Sequence, residues 1–219
     1  MICSTSRTPR GGGGDEDIDV SPRPDFKVPP QWKNSPRDYD LLVQRLTKAI
    51  REIDPKTTIV VEGAYFGGMA VNFVWLRPTG DPNTIYSFHM YMPHEFNDQG
   101  GKPDRPAGVK YPSPKFGKKE MIESMKVVED FQRKYNAGIY LGEFGPTRHA
   151  EPNGAMQYLE DLLAYSEAHG WHTAYQIYGL SAPRSLEMGP NSTKESGPVP
   201  GGTPRLAVMK KHWALNAKK

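Results

Sequence analysis

The sequence predicts an α/β fold with a parallel sheet, and three observations support that prediction. Amphipathic helical segments alternate with short strand segments along most of the chain, which is the element order of a parallel sheet with helical crossovers. The strand segments are almost continuously apolar, as expected for strands that are buried on both faces. Ionisable residues stand at the ends of two of them, Glu143 in one case and His89 and Tyr91 in the other.

The bulk composition fits one folded domain and argues against several classes of partner. The chain has 219 residues, of which 37% are hydrophobic and 24% charged, enough for a substantial core. Its net charge is only +3 and its basic residues are interleaved with acidic ones, so we expect no nucleic-acid partner. The sequence shows no transmembrane-length apolar run and no signal peptide, so we expect no membrane partner and leave the compartment open. One cysteine, Cys3, excludes an internal disulfide framework.

Residues 1–37 are predicted to form a disordered or non-native N-terminal segment. They contain consecutive glycines from Gly11 to Gly14, an acidic cluster and several prolines. A segment of this composition cannot bury enough apolar surface to offset the entropy of the chain. The folded domain is therefore predicted to occupy residues 38–219.

The first half of the domain begins with a helix and two strands. A helix is predicted over residues 38–53, because leucine and isoleucine recur there at helical spacing and Pro55 would end it. Residues 58–63, Thr-Ile-Val-Val-Glu-Gly, are typical of a short buried strand. A second strand is predicted over residues 84–91, and a polar loop follows it.

The second half of the chain continues the same alternation. The predicted elements are, in order, a helix over 117–135, a strand over 138–143, a helix over 154–169, a strand over 171–178, a Gly/Pro-rich loop over 179–203 and a helix over 204–215. The first of these helices is expected to bury Met121, Met125, Val128 and Phe131. A complete eight-stranded α/β barrel takes about 250 residues, so the four predicted strands correspond to about half of one.

The strand ends suggest carboxylate chemistry on a sugar. In an α/β barrel the carboxyl ends of the strands form the mouth in which active sites are built. Glu143 has Gly142 and Gly145 close on either side, which leave room for a substrate to approach its carboxylate. The hydroxyl of Tyr91 can donate to that carboxylate and keep it ionised, and His89 can bind a sugar hydroxyl or orient a carboxylate. Glycoside hydrolysis usually needs two carboxyl groups, of which Glu143 would be the nucleophile.

Four segments resemble glycoside hydrolase family 5, the family of endoglucanase-type barrels. Ile-Tyr-Leu-Gly-Glu-Phe-Gly at 139–145 is similar to the strand that carries the family's nucleophile, and Tyr-Ser-Phe-His-Met-Tyr-Met-Pro-His at 86–94 is similar to its sixth strand. Ala-Ile-Arg-Glu-Ile-Asp-Pro at 49–55, with the strand after it, resembles the fourth helix and fifth strand, and residues 204–216 resemble the last helix. The segments follow the family's order over roughly residues 38–219.

The resemblance implies the second half of a (β/α)8 TIM barrel, with strands five to eight present. It also implies a retaining hydrolase of a β-linked polysaccharide or oligosaccharide such as cellulose, with no cofactor and no metal. Glu143 would be the nucleophile, and His89 and Tyr91 would bind substrate. An aromatic wall, usually tryptophan, is expected on the eighth strand, where Tyr175 is the substitute in this chain. The family is typically secreted.

One expected motif is missing. The resemblance places the acid/base glutamate in an Asn-Glu-Pro just before the helix at 38–53, and the sequence contains no Asn-Glu-Pro, so activity is expected to be impaired. The residues from Met1 to Arg7 can be encoded by ATG ATC TGC TCA ACG AGC CGN. Because reading from the third base gives Asp-Leu-Leu-Asn-Glu-Pro, we interpret this start as an out-of-frame translation. The coding DNA tests the interpretation, since other third bases would contradict it.

Other interpretations of the same residues stay open. Glu62 ends a strand and Glu16 lies in an acidic cluster, but a structural role is favoured for Glu62 and no strand precedes Glu16. The histidines and glutamate that could suggest a metal match no metal-binding motif; they are His89, His94, Glu95 and His149. The chain could instead be a non-catalytic carbohydrate-binding module, or a half-barrel that self-associates into a homodimer through exposed sheet edges.

Overall fold

The computed structural model describes residues 34–63, 69–179, 182–193 and 195–216. Most of the segment predicted to be disordered, together with Glu16, lies outside these residues. Residues 34–37 form a turn that leads into the first helix.

Within this part of the chain there are four β-strands and five α-helices. In chain order they are α1 (Tyr39–Ile53), β1 (Ile59–Glu62), β2 (Thr84–Met90), α2 (His94–Asn97), α3 (Lys118–Tyr135), β3 (Gly138–Phe144), α4 (Ala155–Ala168), β4 (His172–Thr173) and α5 (Pro204–Asn216). Two short 3-10 helices, Ala70–Val74 and Arg148–Asn153, follow β1 and β3. The predicted and observed boundaries agree within one or two residues, except at β4.

The strands form one four-stranded sheet in the order β1-β2-β3-β4. β1 is parallel to β2 and pairs with it along its whole length. Backbone hydrogen bonds from Ala174 to Leu141 and from Gln176 to Phe144 advance in the same direction on both segments, as parallel neighbours require. Sequential order with helices between the strands confirms the predicted α/β fold with a parallel sheet, and fits a partial barrel.

The first compact unit comprises the described residues up to His89 together with Ser124–Tyr140. An aromatic cluster forms its core. The ring of Phe131 on α3 lies 5.0 Å from the ring of Phe73 and 5.0 Å from that of Tyr86, in both cases edge to face. These contacts fix β2 and α3 within the unit.

α1 buries a narrower face than its apolar spacing suggests. Asp38 caps the helix, because its carboxylate accepts a hydrogen bond from the backbone NH of Leu41 at 3.1 Å. Val43 is fully buried, whereas Leu42 is 45% exposed and Ile53 is 87% exposed. The sequence pattern located the helix, but which part of an apolar stripe meets the core depends on the neighbouring elements.

The second compact unit comprises the described residues within Met90–Glu123 and Leu141–Lys219. α4 and α5 pack against each other, and Leu159, Leu162 and Met209 are fully buried there.

The predicted apolar side of α3 is also confirmed, since the four residues expected to be inside are buried: Met121, Met125, Val128 and Phe131.

β4 is much shorter than predicted. The sequence predicts a strand over 171–178, whereas regular strand geometry is confined to His172–Thr173. β4 is the last strand of the described sheet and pairs with β3 alone. Just beyond it lies Tyr175, whose hydroxyl accepts a hydrogen bond from Arg205 at 3.0 Å. That contact comes from a residue far along the chain, so the local apolar pattern does not reveal it.

Candidate active site

Glu143 and Tyr91 lie together at the carboxyl ends of neighbouring strands. Glu143 is the next-to-last residue of β3, and Tyr91 immediately follows β2. The Tyr91 hydroxyl donates a hydrogen bond to Oε2 of Glu143 at 3.0 Å. This is the pairing that the sequence suggests for a nucleophile and its donor.

The protonation state of Tyr91 suits its role as the donor in this hydrogen bond. Burial, with a smaller contribution from the neighbouring carboxylate, raises the pKa of Tyr91 well above its ordinary value, so the hydroxyl stays protonated and available as a donor. Glu143 is partly exposed. A carboxylate that is partly exposed and held by a hydrogen bond can act as a nucleophile or as a base.

Gly145 shapes the chain just after Glu143. Its φ is +140°, a region that favours glycine. A Cβ atom at this position would lie 2.6 Å from Cζ of Tyr175 and 2.9 Å from the carbonyl oxygen of Gln176. The glycine is therefore required for packing at the strand end.

Tyr175 packs against the end of β3, and its hydroxyl forms hydrogen bonds with other residues of the protein. Its ring packs edge to face on Phe144, with centroids 5.4 Å apart. Its hydroxyl accepts from Arg205 at 3.0 Å and donates to the carbonyl of Pro146 at 3.3 Å. Burial raises the pKa of Tyr175, and Arg205 partly offsets that rise. The structure thus places Tyr175 beside β3, the strand that carries Glu143, while its contact with substrate stays a prediction.

His89 belongs to the first compact unit, where its neighbour is Glu62. Nε2 of His89 lies 3.5 Å from Oε1 of Glu62, and the hydroxyl of Ser87 donates to the same oxygen at 3.4 Å. Glu62 is only 8% exposed, and its backbone carbonyl accepts a hydrogen bond from the hydroxyl of Tyr39. This environment accords with the structural role favoured for Glu62. The role of His89 in binding substrate stays a prediction.

Sequence reasoning missed two arginines of the second unit. Arg184 places its guanidinium carbon 4.6 Å from the centre of the Tyr91 ring and donates to the carbonyl of Gly145 at 2.9 Å. Arg205, at the start of α5, is fully buried and forms an ion pair with Glu151 at 2.7 Å. Arg184 lies in a Gly/Pro-rich loop with no periodicity, so no sequence signal marks it. Arg205 could have been noticed as a charge among the apolar residues of α5.

The described residues hold neither a metal-binding cluster nor a membrane-spanning helix. In this part of the chain, no group of three or more histidine, cysteine, aspartate or glutamate side chains is placed to hold a metal ion. His94 pairs with Asp98 at 3.8 Å, and His149 packs against Gly100. No helix within the described ranges is long and apolar enough to cross a membrane.

Comparison with solved structures places the fold among endoglucanases. Thermotoga maritima Cel5A in complex with cellobiose is similar with a TM-score of 0.62 and 27% sequence identity, over 73% of this chain and 52% of that chain. The same enzyme in complex with mannotriose is similar with a TM-score of 0.60 and 28% sequence identity, over 69% of this chain and 50% of that chain. A hyperthermophilic endo-β-1,4-glucanase in complex with substrate is similar with a TM-score of 0.65 and 22% sequence identity, over 78% of this chain and 53% of that chain. At this identity the likeness shows the fold alone. The chain spans about half the length of these proteins.

Comparison of the sequence with family models identifies the family. No curated protein sequence matches the chain. The model for cellulase, glycosyl hydrolase family 5, matches residues 24–178, which is well over half of the chain. The match includes the strands that carry Tyr91 and Glu143, and it agrees with the parallel sheet and with the structural likeness to endoglucanases. The chain therefore belongs to the cellulase family, glycosyl hydrolase family 5.

Proposed function

We propose that this chain takes part in retaining hydrolysis of β-linked glucans, with Glu143 as the nucleophile. The observation that supports the proposal is the 3.0 Å hydrogen bond from Tyr91 to Glu143 at the ends of adjacent strands. Family membership supports a glycosidase, and the strand-end position is where barrel enzymes place catalytic groups.

In a retaining mechanism the nucleophilic carboxylate attacks the anomeric carbon while a second carboxyl group protonates the departing oxygen. Here an oxygen of Glu143 would form the new bond to that carbon, and the leaving oxygen would keep the electron pair of the broken glycosidic bond and take a proton from water to depart as an alcohol. Water would then hydrolyse the glycosyl-enzyme ester. Tyr91 would act before attack, by holding the carboxylate in a fixed orientation through its hydrogen bond.

The leaving group is the weak point of the proposed reaction. No Asn-Glu-Pro occurs among the 219 residues to supply the acid/base glutamate. General acid–base assistance contributes about 10²- to 10⁴-fold, so we propose slow hydrolysis of natural glycosides. Glycosides whose leaving group departs as a stable anion need no proton, and they should react through Glu143 alone.

The proposed substrate class is a β-linked polysaccharide or oligosaccharide such as cellulose. Thermotoga maritima Cel5A has been solved with cellobiose and with mannotriose, so cello- and manno-configured oligosaccharides are the first ligands to test. The fold likeness covers about half of that enzyme, and the substrate of this chain stays a proposal on that account.

The test compares the natural chain with Glu143→Gln on dinitrophenyl β-cellobioside. We expect slow release of dinitrophenolate by the natural chain and a loss of roughly 10³-fold or more in the variant, because the glycosyl-enzyme cannot form without the carboxylate. Circular dichroism would verify that the variant is folded. Equal rates in the two proteins would refute Glu143 as nucleophile, and oligosaccharide binding without turnover would assign binding alone.

Self-association is a second candidate property. β1 and β4 are the outer strands of the described sheet, and each pairs with a single neighbour there. Outer strands with unpaired backbone groups are sites of strand pairing between chains. We propose that a homodimer covers these edges, and light scattering of the purified chain would show the mass of a monomer if it does not.

A further inference from the structure

Arg184 reaches from the loop after β4 to the groups that surround the candidate nucleophile. Its guanidinium carbon lies 4.6 Å from the centre of the Tyr91 ring, and Tyr91 is the residue that donates to Glu143. We propose that Arg184 is a positioning residue, which holds the Tyr91 ring and the backbone after Glu143 in the orientation that nucleophilic attack requires. The inference rests on the proposed function.

The first support is the set of hydrogen bonds that Arg184 makes. One terminal nitrogen, Nη1, donates both to the carbonyl of Gly145 at 2.9 Å and to the carbonyl of Asn97 at 2.8 Å. The other, Nη2, forms an ion pair with Asp98. Gly145 is two residues beyond Glu143, whereas Asn97 and Asp98 follow the strand that leads into Tyr91. One guanidinium therefore joins the backbone just after β3 to the end of α2, the helix that follows Tyr91.

The second support is the contact with the ring. A guanidinium above an aromatic face is attracted by the electron density of the ring, so it restricts how far the Tyr91 ring can turn. The charge of Arg184 partly opposes the rise in the pKa of Tyr91 that burial causes.

The third support is that the backbone at Arg184 is fixed by hydrogen bonds from Arg205. Arg205, which is fully buried, donates to the carbonyl of Arg184 at 3.3 Å and to the carbonyl of Ser185 at 2.8 Å. Ser185 is fully buried as well. The backbone that carries Arg184 is therefore anchored to α5, and its side chain starts from a fixed point.

A lysine cannot replace this arrangement. The planar guanidinium presents donors in fixed directions and stacks flat on an aromatic ring, whereas an ammonium group is a compact point charge. Arg184→Lys keeps the charge, but a single ammonium group cannot lie over the Tyr91 ring, donate to both carbonyl oxygens and pair with Asp98 at the same time. Arg184→Met removes the charge and the donors and keeps much of the side-chain volume. Comparison of the two variants separates the effect of the planar guanidinium and its several donors, called the fork, from the effect of the positive charge.

The experiment measures formation of the glycosyl-enzyme directly. The reagent is the dinitrophenyl glycoside of a fluorinated cellobiose, in which fluorine replaces the hydroxyl next to the anomeric carbon. Attack by Glu143 releases dinitrophenolate and leaves a glycosyl ester that hydrolyses slowly, so the adduct accumulates and can be mapped by mass spectrometry. The dissociation constant for cellobiose is measured in parallel by calorimetry. Arg133→Met is the control, because Arg133 is an exposed arginine that also pairs with carboxylates.

We expect both Arg184 variants to form the adduct about 10- to 100-fold more slowly per folded molecule, with cellobiose affinity and the control unchanged. Adduct formation at the natural rate in both variants would show a merely structural side chain and overturn the proposal. Recovery of the natural rate in Arg184→Lys would overturn the role of the fork. A parallel loss of cellobiose affinity would make Arg184 a binding residue instead. If the natural chain forms no adduct at Glu143, the proposed function fails first, and the inference fails with it.

Discussion

Replacing Arg205 by methionine should destabilise the fold strongly, because the guanidinium is fully buried among groups that need it. Nε donates to Glu151 at 2.7 Å. Nη1 and Nη2 donate to the Tyr175 hydroxyl at 3.0 Å and to four backbone carbonyls, those of Pro146, Arg184, Ser185 and Met188. The substitution keeps an unbranched side chain but removes every one of these donors.

The magnitude follows from what remains after the change. Glu151 is only 7% exposed, and removing one partner of a buried ion pair typically costs about 3–5 kcal/mol. Each buried carbonyl left without a donor adds about 1–3 kcal/mol unless water reaches it, so the upper part of that range is expected. A domain of this size loses about 2–4 °C of melting temperature per kcal/mol, so a loss of about 4–5 kcal/mol should lower the melting temperature by roughly 8–20 °C.

The assay is urea unfolding followed by circular dichroism, with two further variants. Arg133→Met breaks ion pairs of an exposed arginine and should cost about 0–1 kcal/mol. Arg205→Met combined with Glu151→Leu removes the stranded charge and should recover about 1–3 kcal/mol of the loss. A loss below about 1 kcal/mol in Arg205→Met, or no recovery in the double variant, would refute the reasoning from burial.

Two further predictions concern strain and pH. Gly145→Ala should destabilise the chain by about 1–3 kcal/mol, because φ is +140° and the new Cβ would meet a ring carbon at 2.6 Å; an unchanged urea midpoint would contradict this. The hydrogen bond from Arg51 lowers the pKa of Asp81 from 3.8 to about 2, so its contribution to stability is complete above about pH 4 and is lost as the pH falls towards 2. Asp81→Asn should therefore be less stable than the natural chain at pH 7 and nearly equal to it at pH 2, and a stability difference that stays constant with pH would exclude this linkage.

Most of the fold could be predicted because hydrophobic periodicity is a local signal. The helix that buries Met121 and Met125 occurs where its spacing predicts it. Errors arise where a distant residue intervenes. A strand is predicted over 171–178, but the observed strand ends at Thr173. Two residues later, the hydroxyl of Tyr175 accepts a hydrogen bond from Arg205 on the last helix.

Part of the candidate site could be predicted for the same reason. Parallel strands bring their carboxyl ends to one edge of a sheet, so Tyr91 and Glu143 could be expected as neighbours, and the structure joins them by a hydrogen bond. Arg184 could not be expected, because nothing in its own loop shows that its side chain would reach Tyr91 and Gly145.

The sequence by itself determined the α/β class, the order of helices and strands, the family and the glutamate at the end of the third strand. These follow from apolar spacing and from short motifs, which depend on residues close together in the chain. Only the tertiary structure decided which partners these side chains take: Tyr91 pairs with Glu143, and His89 lies beside Glu62. Which side chains pair depends on hydrogen bonds and burial between segments that are far apart in the sequence. Local apolar spacing does not show which of these segments will be in contact.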